Sequence, residues 1–232
     1  MASKTEFISS ITTRLGRPKP EHVNPPGFGD HPADGLYDNF SQKDFVEQFV
    51  REVEALSGNV MRIHSTGELE KAIHTFLDTG NVETVVVWDD DTGRGSAIKN
   101  ACDSYTKKKS NTRVVVWKDD GNRDDLLMVT ERSDAGIVYA EYGISETGTV
   151  VLYNRGGKGR AVSLLPNNIG IVLYTKDILP RITQVLERLS GPAAEHSCIN
   201  FISGPSRSAD IEMSLSIGVH GPGKITVFLV EE

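Results

Sequence analysis

Apolar runs that alternate with helical patterns constrain this fold more than any other feature of the sequence. The runs at 59–64, 82–88 and 112–117 have the length and β-branched content of strands. Helical patterns separate them, at 65–80 and at about 95–109. Strand–helix alternation at this spacing predicts right-handed crossovers and a parallel sheet. We therefore predict an α/β fold, with a mostly parallel open sheet that carries helices on both faces.

The alternation of strands and helices ends after a fourth apolar run at 135–140. Three strand-like runs follow, at 149–153, 161–165 and 169–173. The segments that join them are too short to hold crossover helices, so we predict an antiparallel insertion in the parallel sheet. A helix and two closing strands complete the predicted sheet, at 176–189, 198–202 and 224–230.

The amino-terminal segment differs from the rest of the chain in composition. Apolar residues on one helical face predict a first helix over 5–15. The next stretch, 17–35, is rich in Pro, Gly, His and Asp, which is typical of an extended arm. Ser41 has the sequence of an N-cap for the helix that follows. We therefore predict a helix and arm at 1–40 and one α/β domain at 41–232.

Charge and cysteine content exclude several classes of function. A net charge of −7 and a pI near 5.4 argue against a general binder of nucleic acid or of anionic membranes. Cys102 and Cys198 are far apart and form no C-x-x-C pair, so we expect no iron–sulfur cluster or other metal site in this chain. The sequence shows no long apolar secretion or membrane segment, and we expect a cytoplasmic protein.

A turn with a carboxylate, at 143–148, is the first candidate for a binding site. It holds Glu146 and Thr147 beside Gly148, directly before a predicted strand. Because glycine allows the backbone to approach another group closely, we interpret this turn as the edge of a pocket. The carboxylate of Glu146 is suited to act as a nucleophile towards an acyl group, as a general base, or as an acceptor for the N–H groups of the turn. The sequence leaves these three roles open.

A second polar cluster lies in the last third of the chain. Gly204 and Ser206 follow a predicted strand, and the segment 206–210 has the pattern of a short helix start, whose free N–H groups are suited to bind an anion. Asp210 and Glu212 would share one face of a strand but point about 200° apart in a helix. His220 lies in a glycine-flanked turn. An imidazole there is suited to act as a general base, to form a hydrogen bond with a ligand, or to serve only a structural role.

Other segments resemble known motifs only in part. The glycine-rich segment 156–160 lacks the P-loop spacing, although its N–H groups and Arg160 are suited to contact a phosphate or a carboxylate; a plain hairpin turn is the alternative. Neither the dinucleotide fingerprint G-x-G-x-x-G nor the nucleophile elbow G-x-S-x-G is present. Three aspartates, 89–91, follow a predicted strand at its carboxyl end, and we interpret them as a turn and helix start rather than a metal site.

The ordered combination of these segments resembles the lactate utilization protein C family, whose members are LUD-domain proteins. The resemblance rests on the motifs Arg14–Pro18, Glu146–Val150, Gly159–Arg160 with Ser163–Pro166, Asn200–Ser206 with Ala209–Glu212, and Gly218–Pro222. It spans almost the whole chain. It implies a fold like that of sugar isomerases and CoA transferases, in which a parallel α/β core carries an antiparallel insertion.

The resemblance also implies a function. It predicts a subunit of a cytoplasmic system that oxidises L-lactate to pyruvate, with iron–sulfur clusters in partner subunits and no cofactor in this chain. We expect a pocket at the carboxyl ends of the strands for a small anion, in which Glu146 and His220 handle protons and Arg160 pairs with the ligand. The remaining predicted ligand-binding residues are Thr147, Gly148, Gly204, Ser206, Asp210 and Glu212. The alternatives are a stand-alone CoA-transferase-like or sugar-phosphate enzyme that uses Glu146, and a ligand-sensing or scaffold subunit. The oligomeric state stays open.

Overall fold

The computed structural model describes residues 3–16, 35–118, 122–189, 196–209 and 215–231. The chain divides into two units, Met1–Asp38 and Asn39–Glu232. The described helices are α1 (Lys4–Arg14), α2 (Gln42–Ala55), α3 (Thr66–Thr79), α4 (Gly93–Lys108), α5 (Arg123–Glu131), α6 (Ala161–Leu164) and α7 (Ile182–Leu189). The described strands are β1 (Asn59–Ile63), β2 (Thr84–Trp88), β3 (Arg113–Trp117), β4 (Ala135–Tyr139), β5 (Tyr142–Ile144), β6 (Thr149–Asn154), β7 (Asn168–Tyr174), β8 (Ile178–Leu179), β9 (Cys198–Ile202), β10 (Arg207–Ala209), β11 (Leu215–Ile217) and β12 (Lys224–Val230).

Six parallel strands form the main sheet of the second unit, in the order β1-β12-β7-β4-β2-β3. All residues of β4 are buried, as are four of the five in β2, because helices cover the sheet. The predicted alternation is present as β1-α3-β2-α4-β3-α5-β4. The predicted parallel α/β fold is therefore confirmed.

A second, four-stranded sheet lies in the order β8-β5-β6-β9. Strands β5 and β6 pair antiparallel, as do β6 and β9, whereas β8 runs parallel to β5. The hydroxyl of Ser145, buried between β5 and β6, donates to the carbonyl of Phe45 at 2.8 Å and so ties this sheet to α2. This sheet is the predicted antiparallel insertion.

The membership of the insertion differs from the sequence prediction at several elements. The run 161–165 is not a strand, because Ser163 bonds back to the carbonyl of Arg160 and closes the helical turn α6. The run 169–173 belongs to β7, in the interior of the parallel sheet, because β5, β6 and α6 together connect β4 to β7. Strand β9 closes the second sheet rather than the main one.

The last predicted helix begins later than expected. Residues Thr175–Asp177 form a 3-10 turn, β8 follows, and α7 starts only at Ile182. Pro180 lies just before this helix and its carbonyl accepts a hydrogen bond from the N–H of Glu146 at 3.0 Å. A proline has no N–H to donate to a helix, so the helix starts after it. In the part of the chain that the structure describes, no helix is both long and apolar enough to cross a bilayer.

Candidate functional site

A pocket lies where the direction of the main sheet's connections reverses. From β2 the chain crosses through α4 to β3, whereas from β4 it continues to β7 on the other side. Open α/β sheets bind ligands at such a switch point, outside the carboxyl ends of the strands. A pocket of about 490 Å³ occupies this place. Its lining comes from the carboxyl ends of β2, β4 and β7 and consists of Thr92, Gly93, Arg94, Tyr139, Glu141, Tyr174 and Lys176.

Arg94, in the first turn of α4, provides a fixed cation on the wall of this switch-point pocket. Its guanidinium donates to the carbonyl of Ala140 at 3.0 Å and pairs with the carboxylate of Asp177. The same group lies over the ring of Tyr174, 4.5 Å from the centroid. Because a guanidinium has five N–H donors, these contacts orient Arg94 while leaving donors to bind a carboxylate.

A chain of hydrogen bonds connects charged groups around Tyr139 and Glu141, which also line the pocket. The ammonium of Lys158 donates to Glu141 at 2.8 Å and to the hydroxyl of Tyr139 at 3.0 Å. That hydroxyl in turn donates to the carboxylate of Asp90. Asp90 also accepts from the N–H and the hydroxyl of Thr92, at 3.0 and 2.9 Å. The first aspartate cluster thus supports the start of α4, as the turn interpretation predicted.

The pKa values of this network keep its charges constant near neutral pH. Burial disfavours the charged form of Lys158, but Glu141 and Tyr139 outweigh burial and raise the pKa of the ammonium. Burial and the hydrogen bond to Asp90 raise the pKa of Tyr139. Burial opposes ionisation of Asp90, yet hydrogen bonds from Tyr139 and Thr92 lower the pKa of its carboxyl. These three groups are therefore suited to hold the network in place rather than to exchange protons with a ligand.

The loop that carries Lys158 is held against two tryptophans. The indole N–H of Trp88 donates to the carbonyl of Gly159 at 2.9 Å. A Cβ atom on Gly159 would lie 2.3 Å from the ring of Trp117, which is buried. Only glycine fits this approach, so the glycine-rich segment positions Lys158 beside the pocket. Arg160, which follows, is exposed.

The structure places Glu146 in a 3-10 turn between β5 and β6, outside the lining of the switch-point pocket. Its carboxylate accepts a hydrogen bond from Nε of Arg181 at 3.2 Å. The hydroxyl of Thr147 bonds to that of Thr149 at 2.7 Å, which bonds to that of Ser203 at 2.6 Å. The two predicted polar clusters therefore meet, through hydroxyl groups.

Gly148 and Gly204 closely approach the carboxyl-terminal end of α2 and its cap residue Leu56, respectively. Their φ angles are +58° and +72°, a region that favours glycine. A Cβ atom on Gly148 would lie 2.6 Å from the backbone nitrogen of Val53, and one on Gly204 would lie 2.8 Å from Cβ of Leu56. The close approach that the sequence indicated is thus an approach to α2.

Ser206 and His220 lie near the amino end of β12, whereas the switch-point pocket lies at the carboxyl ends of the strands. The N–H of Ser206 donates to the carbonyl of Pro222 at 2.8 Å, and the turn with the exposed His220 directly precedes β12. Within this turn, the N–H of Gly218 donates to the carbonyl of Ser206 at 2.9 Å. The predicted helix start at 206–210 is wrong, because Arg207–Ala209 form strand β10, which pairs antiparallel with β11. Asp210 and Glu212 lie outside the described residues. The structure therefore does not bring Ser206 and His220 to the switch-point pocket, and their role in binding stays a prediction.

Sequence reasoning missed the residues that line the pocket, although a signal for them exists. Arg94 follows the run 82–88 by six positions, Tyr139 lies in the run 135–140, and Glu141 directly follows that run. In a parallel sheet all of these positions lie at the carboxyl ends of the strands. The strand order alone decides that β2 and β4 are neighbours, and that order is not local in sequence.

A second pocket, of about 510 Å³, lies at the carboxyl ends of β1 and β12. Its charged side chains bind one another: Arg62 pairs with Glu47 at 2.7 Å, and His64 pairs with Glu231 at 2.7 Å. It lies beside the edge strand β1, whereas the switch point lies between β4 and β2. We therefore take the pocket beside Arg94 as the candidate site.

An open α/β domain with a pocket at its switch point has the architecture of a small-ligand-binding protein. Residues 46–230 match the model of the LUD domain, and this match covers well over half of the chain. The chain therefore belongs to the LUD domain family, which confirms the family that its motifs resemble.

Two relatives that match almost the full chain are named lactate utilization protein C. The chain is 32% identical over 240 residues to lactate utilization protein C of Shouchella clausii, covering 99% of this chain and 98% of the relative. It is 30% identical over 234 residues to lactate utilization protein C 1 of Bacillus mycoides, covering 99% and 97%. The crystal structure of a DUF162 family protein from Deinococcus radiodurans matches 83% of this chain and 99% of that chain, with a TM-score of 0.60 and 22% identity. At that identity the structural similarity shows the fold.

Proposed function

We propose that this chain is a subunit of a cytoplasmic lactate utilization system that oxidises L-lactate to pyruvate. The near full-length similarity to proteins named lactate utilization protein C supports this assignment. The two cysteines of the sequence are too few for a four-cysteine cluster, so the iron–sulfur clusters of the system belong to partner subunits in this proposal. The contribution of this chain is to bind a small organic anion.

The observation that carries the ligand class is the setting of Arg94. Its guanidinium lies on the pocket wall, fixed by Asp177, by the carbonyl of Ala140 and by the ring of Tyr174. A fixed guanidinium matches a carboxylate with two parallel hydrogen bonds. Since Asp177 already neutralises part of this charge, a bound carboxylate competes with an internal ion pair. We therefore expect modest affinity and a ligand that also bonds to the neighbouring Tyr139 or Glu141.

Calorimetric titration with L-lactate and with pyruvate tests this function. We expect the wild-type chain to bind at least one of them and Arg94→Gln to bind it about tenfold or more weakly, because a charged hydrogen bond is lost. Arg160→Gln is the matched control, since it removes the same charge from an exposed position outside the pocket lining. Equal affinity in Arg94→Gln, or a loss only in Arg160→Gln, would contradict the assignment of the site. No binding of either compound by the wild-type chain would contradict the ligand class.

An enzyme that uses Glu146 is the second candidate function. The side chain of Glu146 is one-third exposed beside Arg181, so a substrate anion and the carboxylate can meet there. A covalent acyl adduct on Glu146, trapped from a CoA thioester and located by peptide mass spectrometry, would favour this candidate. Glu146→Gln is the control, because the amide cannot form the acyl anhydride. The absence of any adduct would leave the binding function as the better account.

A further inference from the structure

Tyr139 and Glu141 line the switch-point pocket and hold two oxygen atoms side by side. The ammonium of Lys158 donates to the hydroxyl of Tyr139 at 3.0 Å and to the carboxylate of Glu141 at 2.8 Å. Because one ammonium bonds to both oxygens, the two are close neighbours. They form a small polar group beside the space that a ligand would fill.

This group accepts hydrogen bonds but has no proton left to donate. The single proton of the Tyr139 hydroxyl is donated to Asp90, and burial together with this bond raises the pKa of Tyr139, so the proton stays in place. Glu141 forms an ion pair with Lys158, and an ionised carboxylate only accepts. The hydroxyl of Thr92, which also lines the pocket, likewise donates to Asp90. A ligand group that faces these oxygens must therefore supply the proton itself.

Arg94 lies next to these acceptors because of a backbone contact. Its guanidinium donates to the carbonyl of Ala140 at 3.0 Å. That carbonyl belongs to the peptide unit between Ala140 and Glu141, whose Cα atoms are about 3.8 Å apart. The N–H of Glu141 donates to the carbonyl of Val151 at 2.9 Å and fixes this unit in place. A ligand of three carbon atoms is long enough to contact both the guanidinium of Arg94 and the side chain of Glu141.

The two ends of this arrangement differ in what they recognise. When a carboxylate binds to Arg94, the oxygen on the adjacent carbon of the ligand lies beside Glu141 and Tyr139. The hydroxyl of a 2-hydroxy acid donates a hydrogen bond there, whereas the oxo oxygen of a 2-oxo acid has only lone pairs and meets other acceptors. We infer that the pocket selects a 2-hydroxy acid over the corresponding 2-oxo acid and that Glu141 is the specificity-determining residue. This inference rests on the proposed function, which supplies a small carboxylate as the ligand.

Calorimetric titration of the full chain with L-lactate and with pyruvate tests this selectivity. We expect the wild type to bind L-lactate about tenfold or more tightly than pyruvate, because pyruvate leaves buried acceptors unpaired. Glu141→Gln keeps the shape of the side chain, but its amide both donates and accepts, so the ratio of the two affinities should fall to about one. Glu83→Gln is the matched control and should keep the wild-type ratio. Glu83 is exposed directly before β2, at the end of that strand away from the pocket.

The outcomes separate the selectivity from the proposed function. Binding of both acids that depends on Arg94 but has equal affinity would overturn the selectivity alone. Tighter binding of pyruvate would do the same and would indicate that the 2-oxygen faces Lys176, another cation of the lining. No binding of either acid would contradict the proposed ligand class together with this inference.

Two further results would overturn the role of Glu141 or the class of the ligand. A tenfold preference for L-lactate that persists in Glu141→Gln would show that another residue determines it. L-alanine carries an ammonium in place of the hydroxyl, and tighter binding of L-alanine than of L-lactate would overturn the assignment of a hydroxy acid. The wild-type ratios test the inference independently of how well the variant folds.

Discussion

Replacing Gly159 with alanine tests whether the loop 156–160 is fixed over the carboxyl ends of β2 and β3. The added Cβ would lie 2.3 Å from both Cε2 and Nε1 of Trp117. Real Cβ atoms do not approach other atoms so closely, and the ring of Trp117 is 7% exposed, with little room to move. The loop must therefore shift, and the hydrogen bond from Trp88 to the Gly159 carbonyl must lengthen.

The size of the effect follows from overpacking. An extra methyl group in a packed region costs about 1–3 kcal/mol. For a chain of 232 residues, each 1 kcal/mol lowers the melting temperature by about 2–4 °C, so we expect a decrease of about 2–12 °C. Because Lys158 precedes Gly159, the shift should also weaken the binding of any ligand of the switch-point pocket.

Tryptophan fluorescence measures this effect directly. Trp88 and Trp117 are the two tryptophans of the chain, and both contact this loop. We expect Gly159→Ala to shift their emission and to unfold at lower temperature. Gly67→Ala is the control, since a Cβ there would meet no atom within 4 Å. A Gly159→Ala protein with wild-type emission and stability would refute the argument that the loop is rigidly packed.

Two further predictions concern the packing of α2 and the charges of the pocket. Gly148→Ala should lower the free energy of unfolding by about 2 kcal/mol or more in urea titration, because its φ is +58° and its Cβ would lie 2.6 Å from the nitrogen of Val53. An unchanged urea midpoint would mean that α2 moves freely at this contact. Asp90 has a lowered pKa in the folded chain, so its contribution to stability is fully present above pH of about 4 and is lost as the pH falls through the lowered value. We therefore expect Asp90→Asn to be less stable than wild type at pH 7 and closer to it at pH 3; an equal difference at both would contradict the pKa shift.

The elements that the sequence predicted correctly depend on local patterns. The runs 59–64, 82–88 and 112–117 contain strands β1, β2 and β3. The clearest of them is β2, where the five consecutive apolar or β-branched residues Thr84–Trp88 favour a buried strand. The five-residue run 161–165 is too short for its period to distinguish a strand from a helical turn. A hydrogen bond to the carbonyl of Arg160 decides in favour of the turn.

The location of the candidate site was harder to predict from the sequence than the fold was. The aspartates 89–91 correctly indicated the carboxyl end of β2, and Asp90 supports the turn before α4. Arg94 and Tyr139 could not be paired from the sequence, since β2 and β4 become neighbours only through the strand order of the sheet. The glycine at 148 did indicate a close backbone approach, and that approach is to α2.

A crystal structure of the chain with pyruvate or L-lactate tests the central claim most directly. We expect electron density for the ligand in the pocket between the carboxyl ends of β2, β4 and β7, with the carboxylate bonded to the guanidinium of Arg94. Density at the turn of Glu146 or beside His220, with the pocket at Arg94 empty, would contradict the account and favour the residues predicted from the sequence.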